Sequence, residues 1–172
     1  MIHPDYIRLN RILAGVIFLL SFIVYFDTMA PTVSYWDCGE FIAVAHTLGV
    51  PHPPGSPFFL LLGRVASMIP IGNDVAYRVN ILSPLSSALA VMFLYLIIVQ
   101  VVVHWRGKVE SIHDALVAFG GAIIGSLVFA FTDSHWFNAV EAEVYAFSTF
   151  FTAIVVWLIL HWSERADEKG NV

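Results

Sequence analysis

The chain has 172 residues, of which 59% are hydrophobic and 12% charged, with a net charge of −5 and a mean hydropathy of +0.80. A soluble domain carries about twice that share of charge, and disordered chains are charge-rich and apolar-poor, so the composition excludes both and gives an integral membrane protein. The acidic balance excludes nucleic acid, which needs a basic face, and a single cysteine, Cys38, excludes a disulfide scaffold.

In chain order, the uncharged run Ile12–Phe26 predicts a first spanning helix over 12–30, stopped by Pro31. A span needs roughly 20 mainly apolar residues. Thr28-Met29-Ala30 resembles a small-residue cleavage site, but its late position and Pro31 favour an uncleaved anchor. The next uncharged run, 41–63, is long enough to cross, yet four of the eight prolines fall within 51–57. Each proline removes a backbone donor and clashes with the preceding turn, and lipid tolerates no unpaired backbone. The segment therefore predicts two short interfacial helices, 35–49 and 57–69, joined by a stiff elbow. Three later uncharged runs, of 27, 18 and 20 residues, predict spans over 79–104, 114–132 and 139–162. Gly121-x-x-x-Gly125 in the third is a helix-packing signal. The expected fold is all-α integral membrane: one transmembrane domain over 1–172, with four transmembrane helices and two interfacial helices in the first outer loop.

Four spans put both termini on one side, and the positive-inside rule puts that side in the cytoplasm. Arg8, Arg11, Arg106, Lys108, Arg165 and Lys169 then lie inside, and only Arg64 and Arg78 outside. Asp27, Asp37, Glu40, Asp74, Asp133, Glu141 and Glu143 also lie outside, so the whole net negative charge sits on the outer face. Acids beside a membrane are costly and often functional.

Three constellations are candidates for chemistry. In Ser34-Tyr35-Trp36-Asp37-Cys38-Gly39-Glu40, Asp37 and Glu40 share a helix face. Two carboxylates in a partly apolar site push their pKa values apart, which is how one becomes a base. A capping box of Ser34 with Asp37 accounts for the same residues equally well. In the elbow, His52 has a backbone nearly fixed by Pro51 and Pro53, which can aim its imidazole at a phosphate or hydroxyl or merely into water. Ahead of the fourth span, Asn138 and Glu141 read as a cap and its partner three residues on, leaving Glu143 unexplained. Tyr145, four residues after Glu141, is placed to hydrogen-bond it or to sit in an interfacial aromatic belt. Asp27, at a helix C-terminus where the dipole disfavours an acid, calls for a base or a polar cavity.

Single residues add less. Arg64 reads as snorkelling or as gripping a phosphate, and Arg78 reads first as a surface pair with Asp74. Cys38 reads as a small buried side chain. His104, His113 and His161 share no metal-ligand spacing. No dedicated metal motif is present, although Asp37, Glu40, Glu141 and Glu143 can collect a divalent cation.

Two signatures resemble a known family. Trp36-Asp37-x-Gly39-Glu40 followed by Ala45-x-x-Leu48-Gly49-Val50-x-His52-Pro53-Pro54-Gly55-x-Pro57 is similar to the opening motif of a bacterial membrane family, the domain of unknown function 2723 type. That family is related to the transmembrane-protein-260-like protein O-mannosyltransferases. Ser134-x-Trp136-x-x-Ala139-x-x-x-Glu143-Val144-Tyr145-Ala146 resembles its second motif. The resemblance, over about 30–160, implies a GT-C glycosyltransferase that moves a sugar, for this family mannose, from a polyprenyl-phosphate carrier to an acceptor hydroxyl on protein outside the cytoplasm. It implies Asp37 as the acidic residue of the first outer loop, with Glu40 beside it. His52, Arg64, Arg78, Glu141, Glu143 and Tyr145 complete the expected substrate-binding set. Such enzymes have more spans than four, so the chain is expected to be the N-terminal portion of a larger enzyme, inactive alone, in a bacterial inner membrane. The expected partners are the bilayer, the lipid-linked sugar, the acceptor protein, and other membrane subunits or the rest of the chain. The competing reading is a non-catalytic subunit of a membrane complex or half of a transporter, which would place its polar residues near mid-membrane.

Overall fold

The computed structural model describes residues 3–53, 55–72 and 74–169. Pro54 of the elbow and 170–172 of the polar tail lie outside the described residues, as do the side chains of Asp5, Arg165, Asp167, Glu168 and Lys169 from the charge count. The described chain is all-helical: α1 (Pro4–Asp27), α2 (Cys38–Thr47), α3 (Pro57–Met68), α4 (Val75–Asn80), α5 (Leu82–Arg106), α6 (Ile112–Ala130), α7 (Asp133–Ala139) and α8 (Val144–Lys169). Four stretches are long and apolar enough to cross a membrane: Tyr6–Asp27, Val75–Arg106, Ile112–Ala130 and Val144–Glu164.

α5 is the central helix, packed against α1, α6 and α8. Its buried face carries Ser83, Ser86, Ser87, Ala88 and Ala90 before Val91, Tyr95 and Val99. Small side chains let neighbouring backbones approach, the usual basis of helix association in lipid. The outward faces stay apolar, with Ile12, Val16 and Ile23 on α1 and Val155, Leu158 and Ile159 on α8 exposed. A second, smaller core unites α2, α3 and α4 with the start of α8 through Phe41, Ile42, Phe59, Val79, Ala142 and Phe147. In it α2 and α3 meet so closely that a Cβ on Gly63 would lie 2.8 Å from the Cβ of Ala45.

Several boundaries differ from the sequence expectation, each for a local reason. The first span ends at Asp27 rather than 30, because the Ala30 amide donates to the Val140 carbonyl at 2.8 Å and so leaves the helix. The expected helix 35–49 shortens to α2 because Trp36 adopts φ 60° and Leu48 φ 55°, left-handed conformations that end a helix on either side. The elbow region between α2 and α3 is non-helical in its described residues. α6 starts earlier than expected, at Ile112, under a capping box made by Ser111 and Asp114. Two short helices were not expected. α4, capped by Asp74, leads into α5, and α7 occupies what was read as a short outer loop.

α7 overturns one expectation outright. Asn138 lies inside it and donates its amide to the Ser134 carbonyl at 2.7 Å, so it caps nothing, and the last span begins at Val144 instead of 139. Asp27 lies exposed at the end of α1, and no ion pair joins it to a base among the described residues.

Candidate functional site

The segment after α1 is tied down from two sides. The fully buried Asn80 amide donates to the carbonyls of Ala30 (2.8 Å) and Thr32 (3.0 Å), while the Ala30 amide pairs with Val140. This lays residues 30–37 against the 140–143 connection, and the acids of both motifs meet there. The capping boxes read from sequence do not form. Asp37 is the N-cap of α2, but its side chain makes no capping hydrogen bond, and the Ser34 hydroxyl donates to the Glu141 carboxylate instead.

Two groups result, divided by the first turn of α2. The outer one is Asp37, Glu40 and His52, whose ligand atoms lie within 4.8 Å of one another. The elbow curls back so that the His52 amide donates to one Glu40 oxygen and His52 Nδ1 meets the other, both at 2.7 Å. The imidazole and amide of His52 hold the Glu40 carboxyl below its usual range, and Glu40 in turn raises the His52 pKa. Asp37 is exposed.

The inner group is Cys38, Glu141 and Glu143, also within 4.8 Å of one another. Their relative exposures are 0%, 3% and 6%. The Glu143 amide closes a tight turn onto the Glu141 carbonyl at 2.8 Å, and the Cys38 thiol lies 3.7 Å from Glu143 Oε1. Burial raises the Glu143 pKa, which the Cys38 thiol partly offsets and the charges of Glu141 and Asp37 increase. Burial, then the two glutamates, pushes the Cys38 thiol up.

The remaining expected residues are elsewhere. Arg64 donates to the His46 carbonyl at the end of α2, where a cation meets the negative end of the helix dipole. Arg78 donates to the carbonyls of Ser67, Ile71 and Gly72, pinning the turn between α3 and α4. Among the described residues no close ion pair joins it to Asp74, whose pKa is lowered first by the hydrogen bonds from Thr32 and the Ala76 amide and least by the charge of Arg78. Tyr145 is 61% exposed, and the helical spacing that would join it to Glu141 is absent because α8 begins only at Val144. The sequence reading missed Ser34 as a partner of Glu141, Cys38 as a member of the inner group, and Asn80 as its anchor. Only Asn80 left a signal, as an amide at the mouth of a long uncharged run.

Residues 37–172 match the family described as Protein O-mannosyl-transferase TMEM260 N-terminal domain. The chain belongs to this family. All eight expected site residues fall within the match, which starts at Asp37 itself. Among curated proteins, Protein O-mannosyl-transferase tmem260 of Dictyostelium discoideum is 32% identical over 145 residues, 83% of this chain and 16% of that protein. Protein O-mannosyl-transferase TMEM260 of Mus musculus is 31% identical over 147 residues, 85% of this chain and 19% of that protein. The chain thus spans less than a fifth of the length of these TMEM260 relatives. No solved structure matches it.

Proposed function

We propose that this TMEM260-type domain carries the acidic end of a membrane O-mannosyltransferase of the GT-C kind, working as part of a longer protein. In this reading the donor is a polyprenyl-phosphate sugar, the acceptor a protein hydroxyl, and the reaction side the non-cytoplasmic face, with both termini of the domain cytoplasmic. A bacterial inner membrane and the domain-of-unknown-function 2723 group are the expected setting.

The observation that carries the proposal is the meeting of two acidic segments about a hundred residues apart, at the ends of spanning helices rather than in mid-membrane. Asp37 has the open carboxylate, exposed beside Glu40, and is assigned as base. It takes the acceptor hydroxyl proton while the oxygen attacks the anomeric carbon. The bond from that carbon to the phosphate oxygen breaks, the electron pair leaves with the polyprenyl phosphate, and the centre inverts. The leaving phosphate needs a donor or a positive charge. His52, whose pKa Glu40 raises, lies beside Asp37 and is the donor assigned to it; Arg64 and Arg78 are committed to backbone carbonyls. Glu40 positions His52 and favours its charged form.

The full-length protein in vesicles, given radiolabelled polyprenyl-phosphate mannose or a nucleotide-linked mannose, is expected to label protein hydroxyls from the first donor alone. Labelling from the nucleotide sugar in the absence of the lipid carrier would refute the donor assignment.

A further inference from the structure

We propose that Cys38, Glu141 and Glu143 form a three-ligand site for a divalent transition-metal ion of zinc type, with Ser34 orienting Glu141. The inference goes beyond the transferase reading and does not depend on it.

The argument starts from charge. Two carboxyl groups share one buried corner, where the Ser34 hydroxyl meets Glu141, and the Cys38 thiol and the Val144 amide meet Glu143. Glu141 Oε1 is buried and has no hydrogen-bond partner, although the residue is 97% removed from solvent, from its 3% relative exposure. An orphaned carboxylate oxygen in an apolar pocket is strongly unfavourable unless something positive meets it. Two occupants can meet it: a proton on one of the carboxyl groups, or a cation. Among the described residues no hydrogen bond joins the two carboxyl groups, and the close spacing of the three ligand atoms favours the cation.

The geometry suits a small tetrahedral ion. With a metal–sulfur bond of about 2.3 Å and a metal–oxygen bond of about 2.0 Å, a tetrahedral sulfur–oxygen edge is roughly 3.5 Å. Cys38 Sγ and Glu143 Oε1 are 3.7 Å apart, and all three ligand atoms lie within 4.8 Å. A thiolate among the ligands selects against magnesium and calcium, which take oxygen donors and higher coordination numbers. Three protein ligands leave a fourth position open, as in catalytic rather than structural zinc sites. On binding, the sulfur–metal bond replaces the S–H bond and the thiol proton passes to solvent. Ser34, bonded to Glu141, is the outer partner that such sites use to fix a ligand.

The test uses the full-length protein in detergent, stripped with a chelator and then dialysed against Zn2+ or Co2+. Elemental analysis is expected to find roughly one zinc per chain, and the cobalt form is expected to show a thiolate-to-cobalt charge-transfer band. Cys38→Ser abolishes the band, and Ser34→Ala weakens zinc binding about 10–100-fold. Should Cys38→Ser fail to fold, Glu143→Gln carries the same reading through lost stoichiometry. A wild-type cobalt spectrum without a thiolate band, zinc below stoichiometry in the wild type, or a band that persists in Cys38→Ser would each overturn the proposal.

Discussion

Asp37 and Cys38 are neighbours in sequence and opposites in environment. Asp37 faces solvent with Glu40 and His52; Cys38 is fully buried with Glu141 and Glu143. In the outer group both oxygens of Glu40 are met by His52. The inner group leaves a carboxylate oxygen unmet. The pKa directions follow: hydrogen bonds lower Glu40, and burial raises Glu143. One residue type, placed on either side of a single helical turn, is therefore set up for two tasks. The wet side places an exposed Asp37 beside a Glu40 whose carboxyl is lowered by its hydrogen bonds from His52, which in turn favours the charged imidazole. On the dry side, burial raises the Glu143 carboxyl while one Glu141 oxygen is left without a donor.

That contrast can be broken on its outer side first. His52→Ala removes the imidazole that meets one Glu40 oxygen beside Asp37, while the backbone amide keeps its bond to the other. Transfer by the full-length protein is expected to fall roughly 10²–10³-fold, measured as kcat/KM for the lipid-linked donor, and an unchanged value would return His52 to a purely structural elbow. On the inner side, Ser34→Ala leaves both oxygens of Glu141 without a hydrogen-bond donor. It is expected to cost about 1–3 kcal/mol, read as an earlier unfolding midpoint in detergent, with less effect once Zn2+ is present.

A smaller effect separates the two groups by pH. The folded His52 pKa is raised, so its contribution is fully present below the unfolded value and fades as pH rises through the folded one. The folded Glu40 pKa is lowered, so its contribution is present above the unfolded value and fades as pH falls through the folded one. The elbow is therefore held between those two folded values and loosens on either side. Limited proteolysis at 48–56 across pH should show a protected plateau in the wild type and none in Glu40→Gln.

The long helices were legible because charge-free runs and proline clusters act locally: 41–63 was correctly denied a span on its prolines alone. The capping assignments failed for the opposite reason. Ser34 has a local partner at the right spacing, but a hydroxyl next to a buried carboxylate gains more by satisfying it than by capping a helix start with solvent at hand, and Asn138 is drawn inside α7, where its amide bonds the Ser134 carbonyl. That Asp37, Glu40, Glu141 and Glu143 can gather was legible from their shared side of the membrane, but the contacts that bring 140–143 beside 30–38 leave no local pattern: the Ala30 amide on the Val140 carbonyl, with Asn80 holding the carbonyls of Ala30 and Thr32. The same blindness applies to Arg64 and Arg78. As free outer cations they read as phosphate ligands, and only the fold reveals the carbonyls that hold them.

The central claim is that Asp37 is the base of a site built by these two segments. It is tested most directly by single-turnover sugar transfer in the full-length protein carrying Asp37→Asn, with donor binding measured on the same preparation. The isosteric change keeps the N-cap position and leaves the His52–Glu40 pair intact. The predicted result is transfer reduced about 10²–10⁴-fold, with donor binding and membrane insertion unchanged. Transfer at the wild-type rate would contradict the account and pass the role of base to Glu40.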